Sequence, residues 1–370
     1  MPYPNELDSW CEEVSSAFAS LSRPQARVLA LYSYGMALVC HSGLTTVSYF
    51  LATLLEMKWE AVRRRLREWT YEGQAKRGHQ RRSVCVEGQF ASLLRWIMGY
   101  WKDKRRLILA MDVTYLRQRH TMLSVSVVYG RCAIPVAWRV MVGETSGAWH
   151  PLWVSLLSGL ASAVPAGCQV WVLCDEGLYS KRLFKQICQQ GWHPVMRLGR
   201  QGLYRRAGRR HWQSLATVAQ RGMKPKALRA QCFKGETLSG TLWVQWAAGY
   251  EQPCLLVTDL APKHLKRHIY GLRHWIECGF KDLKRGGLHW EQSKTPCPQR
   301  MERLVLVMAL ALMWLVAQGV ASASQPAPTQ TSVPLSLLRR GWIAMLVATI
   351  RQQATPFAFW PPYRLPPFPA

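Results

Sequence analysis

Acidic residues are scarce in this chain. Its 370 residues hold 21 Asp and Glu against 48 Lys and Arg, a formal net charge of +27. That imbalance is too large for an ordinary solvated surface and implies a polyanionic partner, either nucleic acid or an anionic membrane. Closely spaced cysteine pairs are missing. The 11 cysteines are scattered singly from Cys11 to Cys297 with no Cys-x-x-Cys, which argues against structural zinc and fits reduced thiols in a cytosolic compartment. The opening MPYPNELDSW has no basic stretch followed by an apolar one, so no secretory leader is expected there. Long hydrophobic runs are almost absent. The exception is Leu304–Val320, whose 17 residues stand at the lower limit for spanning a bilayer. We read it as a helix buried on all sides in a large core, with no membrane partner.

What is present favours a folded nucleic-acid protein. Hydrophobic residues make up 49% of the chain, enough for a sizeable core in two or three domains. The basic runs are interleaved with aromatics, among them 18 Trp. Residues 1–82 read as a helical region, with a break at Ser22-Arg23-Pro24. A short helix pair over 44–72 carries Arg63, Arg64, Arg65 and Arg67 on its second member. That pair is either a helix-turn-helix or a solvated amphipathic helix. A basic linker runs from Gly73 to Arg82.

From Arg106 the pattern becomes β. RRLILAMDVTYL, TMLSVSVVYG and CAIPVAWRVMVG predict three successive strands. A helix over 148–163, a strand QVWVLCDEG, a helix SKRLFKQICQQ and a strand PVMRLGR follow. The expected fold class is α/β: a ribonuclease-H-like core over 105–200 and 251–320, with a helical C-terminal part. A β-rich basic insertion over 201–250 interrupts it; residues 200–229 hold nine Lys and Arg and no acid. Strong helices are predicted over 263–285 and 298–320. Residues 325–370 read as a linker, a short basic helix and a Pro-rich tail.

Two carboxylates stand out. Asp112 interrupts the apolar run LAMDVTY, where an acid is costly unless paired or metal-bound. Asp175 ends the fourth strand, and in the expected sheet the first and fourth strands are neighbours. Two adjacent carboxylates repel unless a proton or cation intervenes, and oxygen donors favour Mg²⁺ or Mn²⁺. On the helix over 263–285, Tyr270, Arg273, Glu277 and Lys284 stand at offsets 0, 3, 7 and 14. At about 100° per residue they share one face. Glu277 would complete the carboxylate set, with Arg273 and Lys284 placed to grip phosphates.

The spacing Tyr-x2-Arg-x3-Glu-x6-Lys, together with Asp112, Asp175 and the Asp-x-Gly-x-Tyr of DEGLY, resembles one branch of bacterial insertion-sequence DDE transposases. The resemblance covers roughly residues 105–320. It implies that Asp112, Asp175 and Glu277 hold two Mg²⁺ or Mn²⁺ ions. It also implies that Tyr270, Arg273 and Lys284 contact DNA near the element's end. The implied protein is a homodimer in the bacterial cytoplasm, acting on double-stranded DNA at both transposon ends and target. Two positions depart from the family pattern. Glu176 stands where the family often has Arg, and Pro253-Cys254 stand where relatives place a base-stacking Trp. Trp243 or Trp246 is left for that role, or for core packing. The competing readings are a metal-dependent nuclease that cuts without joining, and a non-catalytic DNA-binding protein on the same fold.

Overall fold

Continuous apolar runs, rather than alternating ones, form the centre of the sheet, because both of its faces are covered. The computed structural model describes residues 3–77, 82–101, 105–143, 149–265, 267–323 and 335–353. Four N-terminal helices, α1 (Tyr3–Ala17), α2 (Arg23–Val39), α3 (Leu44–Leu54) and α4 (Trp59–Trp69), lead into α5 (Phe90–Tyr100). The break before α2 falls at the expected place, with Pro24 in the helix's first turn. On α4, Val62, Leu66 and Trp69 are buried while Arg64, Arg65 and Arg67 are exposed.

Next come β1 (Arg106–Leu116), β2 (His120–Tyr129), β3 (Cys132–Val142), α6 (His150–Ser158), β4 (Gln169–Cys174), α7 (Lys181–Gln189) and β5 (His193–Leu198). β1, β2 and β3 form the expected antiparallel meander. Its second turn is a two-residue loop, Gly130-Arg131, with φ of +53° and +65°. Two left-handed residues in succession give the hairpin the right twist, and glycine takes the first of them without strain. β4 and β5 add in parallel to β1.

The chain then forms β6 (Leu203–Arg206), β7 (Gln213–Ser214), β8 (Lys226–Cys232), β9 (Leu238–Gln245) and β10 (Cys254–Thr258). These strands extend the same sheet, whose order is β3-β2-β1-β4-β5-β10-β9-β8-β6-β7. β10 returns antiparallel to β5, so the basic strands are continuous with the core.

The helix expected over 263–285 is broken. A 3-10 turn at Pro262–His264 precedes α8 (Arg267–Gly271) and α9 (His274–Leu283). Between them the backbone bonds tighten to i→i−3: Leu272 to Ile269, Arg273 to Tyr270, Trp275 to Leu272 and Ile276 to Arg273. This overwinding invalidates rotation counted at a uniform 100° per residue. Lys284 lies beyond the end of α9, at a ψ of −140°.

α9 lies close against β3. A Cβ on Gly279 would overlap the Ala133 carbonyl, while Ile276, Phe280 and Leu283 fill the interface. Asp282 is buried on this helix, 3.7 Å from the Cys132 thiol. Burial pushes its carboxyl up to about 6. An acid whose pKa is raised on folding stabilises the fold most below its unfolded value. That contribution is lost as pH rises through about 6. Asp282→Asn is therefore expected to gain stability relative to the parent between pH 4 and 7, read as the difference in urea midpoint across that range. A difference flat with pH would refute the assignment.

The last two helices are α10 (Pro298–Ala323) and α11 (Leu337–Ile350). α10 is long and apolar enough to cross a membrane, yet 83% of its most apolar window is buried inside the protein. Trp314 stacks on Trp10 of α1 at 4.6 Å and meets Tyr34 of α2 at 5.5 Å. At its N-terminal end, buried Arg303 donates to the carbonyls of Val84 and Thr70 and to Glu72 at 2.6 Å. Residues 298–323 thus supply the central helix of the N-terminal region. All of the expected linker over 325–334 and all of the Pro-rich tail lie outside the described residues, as do residues 78–81 of the basic linker.

Candidate active site

The register of three parallel strands sets the site. Met111 pairs with Cys174 across β1 and β4, and Cys174 with Met196 across β4 and β5. The next residues, Asp112, Asp175 and Arg197, therefore lie side by side at one level. Cys174 faces the other way: it is buried, with its thiol 3.6 Å from the Met111 sulfur. It offers no soft ligand to this site.

The third carboxylate comes from α9, and the three meet on one guanidinium. Arg273 Nη2 is 3.1 Å from Asp112 Oδ2 and 3.0 Å from Asp175 Oδ2, and its Nη1 is 2.9 Å from Glu277 Oε1. The Tyr270 hydroxyl donates to Asp175 Oδ1 at 3.1 Å, and Val113 N–H donates to Asp112 Oδ1 at 2.8 Å. The site closes inward and opens outward: the side chain of Arg273 is 11% exposed, that of Glu277 50%.

Burial raises the Asp112 carboxyl above its ordinary range, outweighing the Arg273 guanidinium beside it. For Arg273, burial works against the charge, but Asp112 and Asp175 outweigh it and hold the guanidinium more firmly protonated. Arg197 Nη1 stands 3.8 Å from Asp175 Oδ1.

Among the described residues, no group of three or more His, Cys, Asp or Glu is closed into a metal-holding cluster. The carboxylates fan around Arg273 instead. The donor set still fits a hard divalent cation: three oxygen donors, with a cationic group already at their centre.

Tyr270, Arg273 and Glu277 are thus brought together around the two aspartates, though not by a continuous helix face. Lys284 sits apart from the carboxylates. Its Nζ donates to Thr114 Oγ1 at 2.7 Å and to the Tyr115 carbonyl at 2.9 Å, and burial lowers its pKa. Sequence reasoning missed Arg197 and Thr114. A single Arg within the strand HPVMRL was the one available signal for Arg197. Thr114, two residues after Asp112, shares its face of β1. Of the candidate stacking residues, Trp243 is buried, while Trp246 lies under the Arg200 guanidinium at 5.6 Å. Glu176 is exposed.

No curated protein matches the chain. Among solved structures, the chain is similar to the piggyBac transposase in its synaptic complex with hairpin DNA, determined by cryo-electron microscopy. The identity is 11%, covering 94% of this chain and 79% of that one, at a TM-score of 0.40. The transposase DDE domain family matches residues 144–314. The matched span includes Asp175, Tyr270, Arg273, Glu277 and Lys284 and leaves Asp112 outside, so it is this segment of the chain that is similar to the transposase DDE domain.

Proposed function

We propose that this chain is a DDE transposase of the bacterial insertion-sequence branch defined by the Tyr-Arg-Glu-Lys spacing. It would cut DNA at the ends of its element and join the freed 3′ ends to target DNA. The observation that carries this reading is the convergence of Asp112, Asp175 and Glu277, from β1, β4 and α9, on one cationic centre. The strand order β3-β2-β1-β4-β5, with β1, β4 and β5 parallel, supports a ribonuclease-H-like core. The family match and the charge of +27 support DNA as the substrate.

In this mechanism the three carboxylates hold two Mg²⁺ or Mn²⁺ ions. Bound there, the ions supply an activated water and stabilise the leaving oxygen. The chain's own groups supply position. Val113 N–H and Tyr270 O–H fix the two aspartates, and the half-exposed Glu277 faces the side from which DNA enters. Tyr270, Arg273 and Lys284 contact the phosphates flanking the cut. The exposed Arg64, Arg65 and Arg67 on α4 and the basic strands β6 and β8 hold DNA farther out, so binding weakens steeply with salt. The active form is a homodimer pairing two ends, working in the bacterial cytoplasm.

The test is cleavage and joining of duplex DNA carrying the element's own ends, in Mg²⁺ or Mn²⁺, with the parent and Glu277→Ala side by side. Cutting and joining by the parent alone is expected. Cutting without joining, even when a 3′-hydroxyl end is supplied, would make it a nuclease. Binding without cutting by both proteins would make it a DNA-binding protein without catalysis.

A further inference from the structure

Among the described residues, the hydrogen-bond partners of the Arg273 guanidinium are the three carboxylates. Its Nη1 bonds Glu277, its Nη2 bridges Asp112 and Asp175, and its buried Nε finds no acceptor. An arginine fixed for structure would be tied to backbone carbonyls, as Arg303 is to those of Val84 and Thr70. Arg273 has no such tie among the described residues. It sits at the overwound junction between α8 and α9, one residue after Leu272 and two after Gly271, at which an added Cβ would meet nothing within 4 Å.

We propose that Arg273 is a displaceable counter-ion. In the absence of metal it occupies the cation's place and keeps three mutually repelling carboxylates together. It yields them when divalent metal enters, and its freed guanidinium then pairs with a DNA phosphate. This inference rests on the proposed metal-dependent reading of the same site. The guanidinium already engages an oxygen of each carboxylate that would ligate metal, and its positive charge repels an incoming cation, so it competes with metal. The DNA-free protein therefore binds metal weakly. Phosphate offers the guanidinium the same forked geometry as a carboxylate, so the arrival of DNA removes the competitor.

The test needs no catalysis. Mn²⁺ alone is titrated into the DNA-free, full-length protein, and free Mn²⁺ is read by its electron paramagnetic resonance signal. Arg273→Gln removes the charge; Arg273→Lys keeps a charge but cannot fork across three carboxylates. We expect Arg273→Gln to bind Mn²⁺ at least tenfold more tightly than the parent, Arg273→Lys to fall between, and Asp175→Asn to abolish the gain when combined with Arg273→Gln. Without metal, Arg273→Gln should melt lower than the parent and recover on adding Mn²⁺. Should Arg273→Gln fail to fold, Arg273→Lys against the parent carries the comparison. Equal or weaker Mn²⁺ binding by the variants, still dependent on Asp175, would overturn the counter-ion role and leave the metal site standing. Absence of Asp175-dependent Mn²⁺ binding in every protein, with DNA or without, would overturn both.

Discussion

Asp112→Asn is expected to reduce end cleavage by roughly a thousandfold or more while leaving the fold in place. Asparagine keeps the oxygen that accepts the Val113 N–H at 2.8 Å, so the end of β1 retains its local bond. What it removes is one negative charge from a site where burial already pushes the Asp112 carboxyl up. A stability change within about 1 kcal/mol is expected for a near-isosteric change of this kind. The pairing of lost cleavage with an unchanged melting temperature is the diagnostic result. Cleavage that survives would remove Asp112 from the catalytic set. The outcome matters most here because Asp112 lies outside the span 144–314 that matches the transposase family.

The second large effect concerns the C-terminal helix. Gly341→Ala is expected to destabilise the protein by on the order of 2–3 kcal/mol, in the range for overpacking a close contact. A Cβ there would overlap the Leu315 carbonyl, and one on Gly319 would overlap the Leu337 carbonyl. The obstacle in each case is backbone, which cannot swing aside as a side chain can. α10 and α11 approach through reciprocal glycines, and α11 is held further by the Trp342 indole donating to the Leu38 carbonyl at 2.9 Å. The shift in urea midpoint, with faster proteolytic cleavage within α11, measures the effect. An unchanged midpoint would show that α11 does not contribute to the cooperative core.

Much of the site was legible in the sequence, for identifiable reasons. Asp112 and Asp175 each end or interrupt an apolar run, and an acid set in such a run is visible without any structure. That their strands are neighbours followed from strand order, and β1 does pair with β4. The grouping of Tyr270, Arg273 and Glu277 also appeared, although the argument for it assumed a uniform helix. The tightened turn between α8 and α9 lies in hydrogen bonds that no spacing rule reports. Arg197 went unseen because its nearness to Asp175 comes from the register of β4 on β5, a pairing between residues distant in sequence. The basic strands read as a separate insertion because composition changes there. Strand pairing does not follow composition, and the sheet runs through without interruption.

The placement of α10 has a consequence for how the protein is made. Trp10 and Tyr34 pack on Trp314, and the end of α4 is tied to Arg303. The earliest-synthesised helices thus wait for a helix encoded near the other end of the message. At the usual ~5–20 residues per second, the ribosome takes roughly 10–50 s to travel from residue 82 to residue 323. Through that interval the parts of α1 and α2 that pack on Trp314 stay uncovered. A protein interrupted before α10 is completed has no finished N-terminal region.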